Sequence, residues 1–295
     1  MSSSNGTDDE RNSELERLYS PSQWSHRYSA EEVIAKHIQI ITQESEKVLK
    51  LFPKHELEVS YGHGDRQKCD IFYPTTGLAG APILAFIHGG MWQMMDRTQY
   101  RSVAAGFADA GFQVVVAGYD LAPTVTLAQM ESQIQQLGSF LLSKAAESGS
   151  RGVWVCGHSA GAHLASLLLH YKPVVDNLLF QGVILICGLY NLDPLLDTSY
   201  NDALRLDREK AQDISPVNRG FCDKRVKILI ITAEFDSPAF KQQSMAYFEL
   251  MVKKSENITL LEIKNVDHFD IIEQMSNPKF ELVSRIIEMV SNKVS

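Results

Sequence analysis

Five consecutive residues, Gly157-His158-Ser159-Ala160-Gly161, match the pattern G-x-S-x-G and join an apolar run, VWVC at 153–156, to a helix-patterned one, AHLASLLLHY at 162–171. A turn this tight between strand and helix crowds the neighbours of its central serine. Glycines two residues away on either side relieve the clash and leave the hydroxyl exposed. A serine N-cap with incidental glycines is the other reading of the same residues. A serine hydroxyl is a weak nucleophile at neutral pH, so Ser159 as nucleophile needs an imidazole base held in the right tautomer by an acid. In elbows of this kind the acid and then the base follow the serine along the chain, which leaves His163, His170 and His268. The first two ride on the helix that runs away from the serine. His268, in NVDHFD just past the last apolar run, is the expected base. Asp236, in AEFDSP after VKILIIT, is the expected acid, because Pro238 opens a helix there and would hold the loop rigidly. Asp193, Glu234 and Asp267 compete for that role.

Acyl transfer also needs donors for a developing oxyanion, and loss of one such donor costs ~3 kcal/mol. The motif His88-Gly89-Gly90-Met91-Trp92 follows the apolar run PILAFI, and its glycines let backbone amides approach a substrate oxygen. Gly89, Gly90 and the Ala160 amide are the expected oxyanion hole. Trp92, Tyr119, Tyr190 and Phe235 each follow a strand end; Trp92, Tyr190 and Phe235 are the expected substrate-binding residues. Arg101 and Arg205 are cations that a substrate carboxylate would suit, although surface ion pairing is the commoner role of each. No metal site is expected: His163 and His170 lie two helical turns, roughly 10 Å, apart, and Cys69, Cys156, Cys187 and Cys222 are dispersed without C-x-x-C spacing.

These residues need a scaffold that brings distant loops to one edge. HELEVSYG (55–62) and QKCDIFYP (67–74) read as a hairpin. Six apolar runs follow, at 82–87, 113–118, 153–157, 182–187, 226–232 and 258–263, and segments with helical spacing at 98–110, 126–147, 160–171, 239–254 and 278–293 separate them. Such alternation implies a mostly parallel sheet of about eight strands with helices on both faces, the α/β-hydrolase arrangement. Its loops gather at the carboxyl ends of the strands. Residues 21–295 read as one domain, within which 188–225, weakly periodic and broken by Pro194 and Pro216, is a candidate cap over the site. Residues 1–20 are polar and read as a mobile leader.

The chain has 295 residues, 44% of them hydrophobic and 22% charged, enough apolar material for a sizeable core. Its formal charge of −8 opposes binding to nucleic acid or to anionic membranes. No basic or apolar leader opens the sequence, so a cytosolic location is expected.

HGGMW, GHSAGAHLA, GLYNLDPL, TAEFDSP and VDHFD together resemble the kynurenine formamidases (arylformamidases), relatives of the hormone-sensitive lipase group, whose HGG-x-W motif HGGMW matches. The similarity runs from about LERLYSPSQW to the last helix. The polar leader has no match in the family pattern. The resemblance implies hydrolysis of N-formyl-L-kynurenine to L-kynurenine and formate in tryptophan catabolism, with no cofactor, in the cytosol and often as a homodimer. The same machinery would serve a carboxylesterase acting on short acyl esters. A non-catalytic ligand receptor on the same fold is a more distant alternative, since such proteins usually lack a triad member.

Overall fold

The hairpin and the six apolar runs all become strands: β1 His55–Ser60, β2 Lys68–Phe72, β3 Ile83–Ile87, β4 Gln113–Ala117, β5 Val153–His158, β6 Phe180–Ile186, β7 Lys227–Ala233 and β8 Ile258–Ile263. The computed structural model describes residues 5–75, 77–220 and 225–291. The strands form one sheet in the order β1-β2-β4-β3-β5-β6-β7-β8, in which β2 pairs antiparallel with both β1 and β4 and every other pairing is parallel. Strand order reverses at β3, β4 and β5, so the carboxyl ends of β3 and β5, which carry the two glycine motifs, are direct neighbours.

Eleven α-helices connect and cover the sheet: α1 Asn5–Leu18, α2 Val33–Leu51, α3 Val103–Phe107, α4 Leu127–Ser148, α5 Ala160–Leu167, α6 Lys172–Val175, α7 Asn201–Leu204, α8 Arg208–Ile214, α9 Pro238–Val252, α10 Asp270–Glu273 and α11 Glu281–Ser291, counted among the described residues. Side chains alternate across each strand. Val115 and Val155 pack on one face with Leu137, Leu164 and Phe240 of α4, α5 and α9, whereas Val114, Val116 and Cys156 pack on the other with Ile41, Phe107 and Ile286 of α2, α3 and α11. Both faces are thereby dry, which is why the parallel strands read as continuous apolar runs.

Three differences from the sequence expectation stand out. Helix α2 was not anticipated. The polar leader, expected to be mobile, forms α1, whose Leu15 and Leu18 pack against the core while Glu16 accepts from both the backbone and the hydroxyl of Ser199. The helix is held further by its last carbonyls, Arg17 O accepting from Trp24 Nε1 at 3.0 Å and Leu18 O from Ser237 Oγ. The segment 98–110 is a 3₁₀ turn, Arg97–Tyr100, followed by the short α3. Cys69, Cys156 and Cys187 are free and buried; Cys222 lies outside the described residues. No helix of the described residues is long and apolar enough to cross a membrane.

Candidate active site

Ser159 sits between β5 and α5 with φ 55° and ψ −121°, and its side chain makes no cap bond to the helix, which removes the N-cap reading. The backbone strain is held from several sides. The Ser159 amide donates to Ile186 O at 2.8 Å, and Ser159 O accepts from Ala162 N at 2.9 Å. A Cβ at Gly157 would lie 2.1 Å from Gly161 O, and one at Gly161 would lie 2.1 Å from Ile87 O. Both glycines are thus required by close backbone approach. Ser159 is only 3% exposed, and it lines a cavity together with His268 and Gly90.

Asp236 and His268 meet beside it. His268 Nδ1 lies 3.0 Å and 3.1 Å from the two carboxylate oxygens of Asp236, so Nδ1 carries the proton and Nε2 is left as an acceptor. The imidazole is packed by Phe240 at 4.9 Å and Phe269 at 5.5 Å between ring centres. Asp236 is buried, and its Oδ1 accepts from Ser237 N at 2.7 Å, where the N-cap of α9 begins with Pro238 as its first residue. Of the other acids, Glu234 accepts from Asn265 N and Asp267 is bound by Ser25 and Arg27, while Asp193 opens a 3₁₀ turn with its buried Oδ1 left without a hydrogen-bond partner among the described residues.

The loop after β3 supplies two amides that donate to nothing else in the protein among the described residues. Tyr119 Oη donates to His88 O at 3.0 Å and reaches Gly89 O at 3.5 Å, while His88 Nδ1 is 2.8 Å from Gly89 O. Each carbonyl lies opposite the next amide in its planar peptide, so fixing those oxygens turns the Gly89 and Gly90 N–H groups the other way. Gly89 is pressed against the elbow: a Cβ there would stand 3.0 Å from Ser159 Cβ. Gly90 has φ 106°, and a Cβ there would collide with Met94 O at 2.4 Å.

Several groups in this architecture have no signal in the motifs. His158, the variable residue of the elbow, places Nε2 2.9 Å from His268 O; a carbonyl only accepts, so Nε2 carries the proton and the ring is neutral. Burial first, and the neighbouring His268 second, hold its pKa well below the ordinary histidine range. His158 ties the backbone of His268 to the nucleophile turn. Cys187 lies beside Asp236, and burial followed by that carboxylate pushes the thiol pKa well above its ordinary value. Cys187, Asp236 and His268 offer ligand atoms within 4.8 Å of one another, a donor set that a soft divalent ion could use only by displacing the His268 Nδ1 proton.

The cavity wall differs from the aromatic one expected. Trp92, Tyr190 and Phe235 do not line it. Gly90, Met91 and Trp92 all have positive φ, and the resulting reversal sends the Trp92 indole into the core, edge-on to His163 at 5.1 Å. Tyr190 stacks on Tyr247 at 4.2 Å in the core, and Phe235, 38% exposed, packs at a tilt against His26 outside the cavity. The wall is built instead from Met91, Met94 and Met95, from Tyr100 and Phe269, and from Pro21, Ser22, Ile34 and His37 near the N-terminus. Among the described residues of the segment 188–225, Tyr200 alone reaches the cavity; Ser20 Oγ lies 2.9 Å from its hydroxyl and Gln93 donates to its carbonyl. Arg101 is committed to Asp70 at 2.7 Å, and Arg205 ends α7 with φ 54°.

Comparison with known proteins agrees with this reading of the fold. The BD-FAE family model matches residues 69–179. The chain is 34% identical to kynurenine formamidase of Salmo salar over 288 residues, covering 94% of this chain and 96% of the relative. The chain belongs to the kynurenine formamidase family. The Drosophila melanogaster member is 30% identical, with 88% of this chain and 92% of the relative covered. Among solved structures, a protein of Silicibacter sp. TM1040 superposes with a TM-score of 0.79 at 27% identity, covering 92% of this chain and 98% of that one. A thermophilic carboxylesterase cloned from a metagenomic library superposes at 0.68 with 16% identity, covering 88% and 98%, a likeness of α/β-hydrolase fold alone.

Proposed function

We propose that the protein hydrolyses N-formyl-L-kynurenine to L-kynurenine and formate, with Ser159, His268 and Asp236 as its catalytic triad. One observation carries the mechanism: His268, paired with Asp236, and Ser159 line the same cavity as Gly90. Membership of the kynurenine formamidase family supports the substrate. His268 Nε2 takes the Ser159 proton as Oγ bonds to the formyl carbon, and the carbonyl oxygen takes up negative charge facing the amides of Gly89, Gly90 and Ala160. Collapse of this intermediate breaks the C–N bond, and His268 passes its proton to the departing aryl amine. An aryl amine leaves more readily than an alkyl amine. Water, deprotonated by the same imidazole, then attacks the formyl-enzyme; formate leaves and Ser159 regains its proton.

The test is turnover of N-formyl-L-kynurenine beside p-nitrophenyl acetate by the wild type and Ser159→Ala. The variant should lose at least ~10³-fold in kcat on the formamide. Undiminished turnover would exclude the mechanism, and a higher kcat/KM on the ester would favour a carboxylesterase instead.

A further inference from the structure

A second acid–imidazole–hydroxyl series stands in the wall of the same cavity. His37 Nδ1 lies 2.9 Å from Glu273 Oε1, and its Nε2 lies 3.3 Å from the Tyr100 hydroxyl. His37 and Tyr100 both line the cavity that Ser159 faces, and His37 is only 2% exposed. The imidazole is held in place by the rings of Phe269 at 5.4 Å and Tyr100 at 6.0 Å. The triad chemistry gives this arrangement no task.

We infer that His37, oriented by Glu273 and assisted by the Tyr100 hydroxyl, receives the carboxylate at the amino-acid end of the substrate. This rests on the formamidase reading, which requires a substrate with one carboxylate remote from the scissile amide. An anion entering a cavity walled by methionine, isoleucine, proline and phenylalanine side chains loses its hydration and needs a charged or strongly donating partner. Elimination leaves few partners. Among the described residues, no lysine, arginine, aspartate or glutamate lines the cavity. Arg97 and Arg101 are bound to Asp70, and Arg27 is bound to Asp267 and Glu273. His158 is neutral and committed to the His268 carbonyl, and His268 is the base. Among the described residues, His37 alone combines access to the cavity with a carboxylate on its far nitrogen, so one ring can bridge Glu273 and a substrate carboxylate at Nε2. Its contact to Tyr100, at 3.3 Å, is long for such a bond, so an incoming carboxylate oxygen can accept from Nε2–H while Tyr100 donates to the second oxygen.

The experiment compares N-formyl-L-kynurenine with its decarboxylated analogue, which keeps the formanilide, the ketone and the ammonium group. The wild type should favour the carboxylate by about tenfold or more in kcat/KM, chiefly through KM, since a site built to bind a polar group rejects the analogue lacking it. In His37→Gln, and separately in Tyr100→Phe, that preference should shrink toward unity, whatever loss the two substrates share. A wild-type enzyme that does not discriminate overturns the inference without any variant having to fold. So does a variant that slows both substrates equally, the mark of a merely structural role. Turnover of neither compound by the wild type overturns the formamidase reading and this inference with it, whereas equal turnover of both overturns this inference alone.

Discussion

The Tyr119 hydroxyl does not touch a substrate in the mechanism above, yet it fixes the peptide planes whose amides would. It holds His88 O at 3.0 Å from a fully buried ring that stacks on His88 at 4.5 Å. Tyr119→Phe keeps the stack and frees the carbonyls. We expect kcat to fall by about tenfold, less than the loss of an oxyanion donor itself, with KM little changed, because the oxyanion forms only on the way to the intermediate. An unaltered kcat would mean that the glycine loop is held without Tyr119. The same scale explains what the sequence could reveal. Ser159 was legible because the elbow tolerates only glycine at 157 and 161, a demand of backbone approach written in the letters themselves. Asp236 and His268 were legible because each follows a strand and so must reach the same rim. Trp92, Tyr190 and Phe235 follow strand ends too, but that place fixes the edge of the sheet and not the direction of a side chain. In Trp92 the direction is set by three successive positive φ values, and only the first of those residues is a glycine.

A strap between α1 and α2 docks onto the loop that carries His268. Ser25 Oγ donates to Asp267 at 2.6 Å, and Arg27 binds Asp267 at 3.1 Å and Glu273 at 2.7 Å. Burial raises the Asp267 pKa, but the hydrogen bonds from Arg27 and Ser25 outweigh it and hold the carboxyl far below its usual range. Burial and then the Asp267 charge push Asp270 up to about 7. Three carboxylates thus crowd one guanidinium, whose side chain is 21% exposed. Arg27→Met would strip all three of their guanidinium partner, leaving Glu273 with His37 and Asp267 with Ser25, and the protein should lose about 2–3 kcal/mol, read as a shift in the denaturation midpoint. Adding Glu273→Gln should recover part of that loss by removing one of the crowded charges. Additive effects of the two changes would show that the charges do not interact. The strap and α2 escaped the sequence reading for related reasons. Helix α2 buries Val33, His37, Ile41, Ser45 and Val48, and a histidine and a serine interrupt what would otherwise be an apolar stripe. Those polar residues are where it meets Glu273 and the Gln99 carbonyl, contacts spanning much of the chain that local periodicity does not encode.

Across the whole molecule, the order of strands was readable as a class, because β-α alternation with doubly apolar strands admits few arrangements. The N-terminal segment that returns to wall the cavity belongs to no such repeat. The buried histidines link the assembled fold to its behaviour in acid. Burial lowers His88 and His163 to about 4 each, against small opposing effects of their backbone hydrogen bonds, and His158 is held lower than the ordinary range as well. In the unfolded chain these imidazoles take up protons near pH ~6.5. Between pH 6.5 and 4 the unfolded state therefore binds more protons than the folded one, and stability must fall as pH falls through that window and level off below it. His88 and His163 contribute roughly 3 kcal/mol each at most. Asp270 acts in the opposite sense: its raised value means that protonation from about pH 7 downward favours the folded state, offsetting part of the loss. With more histidines than raised carboxyls, the net slope is toward instability. Urea midpoints measured from pH 7 to pH 4 should decline, and His163→Gln, which keeps a donor for the Ile214 carbonyl that His163 Nε2 approaches at 2.9 Å, should decline less steeply than the wild type. A flat profile, or one unchanged by that substitution, would show that these rings already accept protons within the folded protein, and that the rim around Ser159 is wetter than its packing implies.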